Sequence, residues 1–284
     1  MTFELVFLDA ADPSLGRLDY ASLSQQALME MVIEGISNKE KICGDVDEPK
    51  DIEEWKGVII ESGEVVGIAW RQFRLRGSLH LEWLPSSVRK VLVSWNKLTG
   101  TLDCASLPTS MKVLDLAYNA FTESICLESL PEGMEKIDVS ENMFCGSLKL
   151  QSLPDTLKHF YTYNNKFSGS VDLTRLPAAL SCLHLKNNRL SRSVVLTQLP
   201  GGLEVLNLKD NQFSGALDLT RLPPHMFVLK LDNNSFSGTV DLSQLPQGLE
   251  LLILADNKLS GEFSYPDARR VLSVFRNTKL NKLT

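Results

Sequence analysis

Cysteine is scarce in this sequence and shows no pairing pattern. Five occur among 284 residues, an odd number with no Cys-x-x-Cys. That argues against a disulfide scaffold and against a thiolate zinc site. Long apolar runs are also missing, and no stretch approaches the roughly 20 residues of a membrane-spanning helix. Residues 1–12 have no basic stretch ahead of a long apolar one, so no secretory leader is expected. Together these absences point to a reducing, cytoplasmic address without a membrane partner. Catalytic signatures are lacking as well. There is no Gly-x-Ser-x-Gly, His-Glu-x-x-His, Walker loop, Gly-x-Gly-x-x-Gly or EF-hand loop, so neither intrinsic enzyme activity nor a cofactor is expected.

Positive charge is absent where a nucleic-acid binder would need it. The net charge is −6, and it divides unevenly. Residues 1–64 hold 15 acidic against 5 basic residues, whereas the rest hold 20 against 24. A surplus of 4 positive charges over 220 residues is too thin for a nucleic-acid face. The asymmetry marks an acidic N-terminal module over 1–64, a central region over 65–264 and a closing segment over 265–284. In the first module, Leu23, Ala27, Leu28, Met31 and Val32 recur at helical spacing. Ser22 is the expected N-cap and Gly35 the expected stop.

What the sequence has in abundance is repetition. Leu-Pro recurs eight times from Leu84–Pro85 to Leu245–Pro246, each step being 23 residues. Asn keeps the same step eight times from Asn96 to Asn257. The unit reads LPxxLxxLxLxxNxFSGxVDLTx. Its three Leu positions are apolar in every copy except at Thr162. LxLxx is a short strand with two inward side chains, and Asn falls where the chain leaves the strand. The Phe or Leu two residues later adds a second apolar column, as at Phe121, Phe144 and Phe167. One unit cannot bury its own apolar face, so units must stack. Partial copies stand at both ends: Val65, Ile68, Trp70 and Leu75 before the array, and Leu272, Phe275, Asn277 and Leu280 after it. Adding 23 puts Asn277 at a core Leu position. About ten strands then span on the order of 45–50 Å.

The LxxLxLxxN signature resembles that of the leucine-rich repeat family. The FSGxV segment is similar to the LSGxIP of its plant-type branch. Trp55-Lys56-Gly57-Val58 is similar to the plant-type N-terminal cap, CxWxGVxC, with Glu53 and Ile60 at the two Cys positions. The resemblance implies an α/β fold: a leucine-rich repeat solenoid with a parallel concave sheet, eight full repeats and degenerate terminal ones. It says almost nothing about function.

Binding should use strand positions that the scaffold leaves free. The middle repeats concentrate His159, Tyr161, Tyr163, His184 and Lys186, continuing to Lys209, Lys230 and Asp232. Such an aromatic, mildly basic patch is typical of interfaces, although aromatic pairs also stabilise sheets. His159 and His184 lie on neighbouring strands but lack further metal ligands. The leading expectation is a monomeric, non-enzymatic scaffold that binds a protein partner. An extracellular ligand or carbohydrate receptor module and a recognition subunit of a larger complex remain alternatives.

Overall fold

A computed structural model describes residues 23–263, 272–274 and 276–282. Each LxLxx segment forms a strand of only three residues, among them Val113–Asp115, Lys136–Asp138, His159–Tyr161, Cys182–His184 and Val205–Asn207. Equivalent residues pair in parallel, Lys136 with His159, His159 with Cys182 and Cys182 with Val205. The register is thus the 23-residue sequence period itself. Glu64–Ala69 precedes the array and Leu272–Val274 follows it. Val58–Glu61 adds an antiparallel edge, completing an 11-stranded sheet. A second, 6-stranded parallel sheet runs from Ser168–Gly169 to Lys279–Lys282. Among the described residues α-helix is confined to the cap, at Gln25–Ile33 and Glu40–Cys43, with short 3-10 turns in the first repeats, such as Cys104–Ser106.

The core is a set of columns along the solenoid. The three Leu positions are buried in every full repeat, and Thr162 is as buried as the leucines around it. Its hydroxyl faces the His184 carbonyl at 3.4 Å. The second column is equally dry. Phe121, Phe144 and Phe167 stack with centroids 6.1 and 6.3 Å apart. A fully buried apolar side chain contributes roughly 1.5–3 kcal/mol, and here each one packs against its counterpart above and below.

The ladder asparagines hold the turn between these columns. The side-chain amide of Asn165 donates to the carbonyls of Val139, Thr162 and Tyr163 at 2.9–3.3 Å, and its carbonyl accepts from the Phe144 amide at 3.0 Å. Asn142, Asn188 and Asn257 repeat the arrangement while buried. Each asparagine therefore ties its own turn to the preceding repeat and satisfies backbone groups that three-residue strands leave unpaired.

Three sequence expectations change. The helix cap is Ser24, whose hydroxyl accepts from the Ala27 amide at 3.2 Å, rather than Ser22. Its buried face is Leu28, Met29, Val32 and Ile33, so Ala27 and Met31 lie at its margin. Helical spacing alone admits both faces; packing against the first turn at Leu81–Trp83 selects one. At the far end the step shortens to 21, because Leu251 pairs with Leu272. Asn277 is consequently exposed at φ +56°, equivalent to Asp256, and does not replace a core Leu. Half of the closing segment expected over 265–284 lies outside the described residues, as does all of 1–22.

Glu123 and Arg192 stand where other repeats have Gly, and they keep the left-handed backbone at φ +69° and +74°. That conformation costs a side-chain-bearing residue about 1–2 kcal/mol. Arg192→Gly and Glu123→Gly should each stabilise the chain by about 1 kcal/mol in urea unfolding. Asn142→Ala, which strands several buried backbone groups, should destabilise it by about 3 kcal/mol in the same measurement.

Candidate ligand-binding face

His159 and Tyr161 belong to one strand and His184 to the next, while Tyr163 and Lys186 stand two residues beyond the strand ends. The register alone brings them together. The Tyr161 ring lies 6.2 Å from His159 and meets His184 edge-on at 5.2 Å. His184 is also 6.4 Å from Tyr163. The Lys136 ammonium lies 5.4 Å from the Tyr161 centroid, a cation–π geometry. All five expected residues are half-buried.

Burial governs their ionisation. It lowers the His159 pKa first, and Lys136 and Lys158 lower it further. Burial likewise lowers His184, aided by Lys230. Both imidazoles are therefore neutral near pH 7, free to accept as well as donate hydrogen bonds. Burial pushes the Tyr163 phenol up to about 12, with the Ser140 hydroxyl opposing and Tyr118 adding to the rise. Tyr161 is raised further, again chiefly by burial and next by Cys182 beside it.

The remaining three expected residues are arranged differently. Asp232 is only 4% exposed and is held by Lys209 at 2.5 Å, so it is not a surface acid. Small or short side chains of this column, including Ser140 and Ala255, sink between larger neighbours, and strand alternation alone does not reveal that. The second carboxylate oxygen of Asp232 has no hydrogen-bond partner. Lys230 stays half-buried, facing His184.

A second aromatic group lies toward the N-terminal end, and reading strand columns alone missed it. Trp95 and Tyr118 stack with centroids 3.8 Å apart and planes within 10°. Beside them is a concavity of about 460 Å³ whose lining includes Arg71, Asp115, Asp138 and Tyr163. Arg71 binds the Asp115 carboxylate, which also accepts from Ser94 at 3.2 Å and from the Ala117 amide at 3.3 Å. Asp138 accepts from the Ser140 hydroxyl at 2.5 Å, yet burial still raises its pKa. Trp95 and Tyr118 occupy the position just before the ladder Asn. The next repeat places Glu141 there, and later ones Asn164, Asn187, Asp210, Asn233 and Asp256. That compositional break was the available signal.

The depressed histidines make the face acid-sensitive. Each favours the neutral form when folded, so their contribution is complete above the unfolded value near pH 6.5 and declines as pH falls through the lower folded value. Asp138 has the opposite sign, since its raised pKa eases burial on acidification. A His159→Gln/His184→Gln variant should therefore lose less thermal stability than the native chain between pH 7 and pH 5, measured by circular dichroism.

No protein-family model matches the chain, and no curated protein matches it. Solved structures do. A plant ice-binding protein superposes with a TM-score of 0.63 at 19% identity, over 84% of this chain and 87% of that one. The leucine-rich repeat ectodomain of the Arabidopsis receptor kinase HAESA, solved with a peptide hormone, gives 0.49 at 22% identity, over 69% and 42%. That of the Arabidopsis thaliana receptor kinase GASSHO1/SCHENGEN3 gives 0.48 at 17% identity, over 90% and 44%. The chain spans less than half the length of those two ectodomains. The cytoplasmic address expected from the sequence is withdrawn, since the matched structures include receptor-kinase ectodomains. Among the described residues no helix is long and apolar enough to cross a membrane. With its 23-residue register, Asn ladder and parallel sheet, this chain has the fold of a leucine-rich repeat solenoid.

Proposed function

We propose that the protein is a non-enzymatic binding scaffold and that its concave sheet takes a protein partner at His159, Tyr161, Tyr163, His184 and Lys186. The observation carrying this reading is the half-buried ring cluster centred on Tyr161, ordered by backbone register and turned toward solvent. Rigid aromatic side chains lose little conformational entropy on binding, so they make effective anchors. Neutral histidines and the Lys136 and Lys186 ammonium groups favour a partner surface with carboxylates or hydroxyls. Lys209 and Lys230 extend the patch along the sheet, with Asp232 buried beneath Lys209. In this reading the chain acts as a monomer, since one solenoid presents the whole face. The peptide hormone bound by one receptor ectodomain of this architecture is compatible with such use of the fold.

The test is affinity capture from the source organism, native chain against Tyr161→Ala/Tyr163→Ala/Lys186→Ala, with crosslinking to locate the contact. A partner held by the native chain should be lost by the variant, whose thermal midpoint stays within a few degrees. Equal capture by both would overturn the site.

A further inference from the structure

The stacked pair Trp95 and Tyr118 has a backbone cost that the core does not recover. Their position is left-handed in every full repeat, at φ +61° for Trp95, +55° for Tyr118 and close to that value for Glu141, Asn164, Asn187, Asp210, Asn233 and Asp256. Asn and Asp tolerate this region, whereas a bulky aromatic there is an outlier. Strain of this kind persists where function requires the side chain. Neither ring joins the apolar core, and Trp95 remains 53% exposed. The fold would be better served by Asn at both places. What the rings gain is a face-to-face stack, with centroids 3.8 Å apart and planes within 10° of parallel, at the rim of the 460 Å³ concavity.

We propose that this concavity is a saccharide subsite which binds a neutral pyranose-type ring. Its charges balance. Arg71 and Lys136 face Asp115 and Asp138, and the Asp115 carboxylate is already engaged by Arg71, Ser94 and the Ala117 amide. A cationic guest would meet two like charges, and an anionic guest would meet Asp138. A neutral ring meets no such penalty. Its hydroxyls can donate to Asp138 and accept from Arg71, while its apolar C–H face covers the indole. The volume lies in the range of small-ligand sites. Tyr163 and Lys136 border both this concavity and the proposed protein patch, whereas Trp95 and Tyr118 belong to the concavity alone, so the two sites can be tested separately.

Trp95 also supplies the signal. Of the four tryptophans, Trp55 and Trp70 are buried and Trp83 is partly buried, leaving Trp95 as the exposed one. Full-length native chain is titrated with neutral gluco-, manno-, xylo- and N-acetylglucosamine oligosaccharides up to about 10 mM, the millimolar regime of weak single-site binding. Tryptophan fluorescence and calorimetry are read in parallel. At least one neutral probe should bind and shift the emission. Trp95→Asn and Tyr118→Asn should each weaken it at least about tenfold while keeping or raising the thermal midpoint. Trp95→Phe should retain part of the affinity, and capture of a protein partner should survive Trp95→Asn. No neutral sugar bound, binding only of galacturonate or chitosan oligomers, unchanged affinity in Trp95→Asn, or a Trp95→Asn chain that melts earlier would each overturn the proposal.

Discussion

Every level of this structure depends on an asparagine side chain replacing backbone partners. A three-residue strand pairs too few peptide groups to hold itself in place, and the sharp exit after it leaves more unpaired. The amide of each ladder asparagine donates to three carbonyls, one of them 26 residues earlier, and its oxygen takes an amide 21 residues earlier. Local turn geometry and long-range stacking are thus fixed by one group. Because each repeat is anchored to its predecessor, the register cannot slip without breaking several buried hydrogen bonds together.

That constraint explains why so much of the fold was legible. A 23-residue period with invariant spacing sets strand positions, parallel direction, register and the two apolar columns. Burial of Thr162 at a Leu position confirms that position, rather than residue type, decides what faces inward. Legibility declined at the ends, where the period itself breaks. The 21-residue last step moved Asn277 from core to surface, and the cap helix turned a face that periodicity could not choose. There the decisive contacts come from neighbours that no repeat encodes.

The candidate faces were legible in part for a related reason. His159, Tyr161 and His184 sit on strands, so alternation placed them correctly in one cluster. Asp232 sat in a column read as outward, yet Lys209 and larger neighbours cover it, since burial beyond the strand depends on side-chain size. Trp95 and Tyr118 were passed over because their column belongs to the turn. Their significance becomes visible only when φ is known, since aromatic residues in a left-handed backbone differ from aromatic residues in a strand. A turn position that elsewhere holds Glu, Asn or Asp offers two places where large rings stand clear of the core.

The antiparallel strand Val58–Glu61 has a bearing on colloidal behaviour. A solenoid ends in an open strand edge, and two open parallel edges invite copies to add head to tail into fibres. Here the first parallel strand is already paired, its partner runs the opposite way, and the pairing is interrupted between Ile59 and Ile60. A second molecule arriving with a parallel edge finds reversed polarity and an irregular, four-residue rim ending in Glu61. At this end the cap replaces an open parallel edge with a reversed and irregular one, which works against head-to-tail addition.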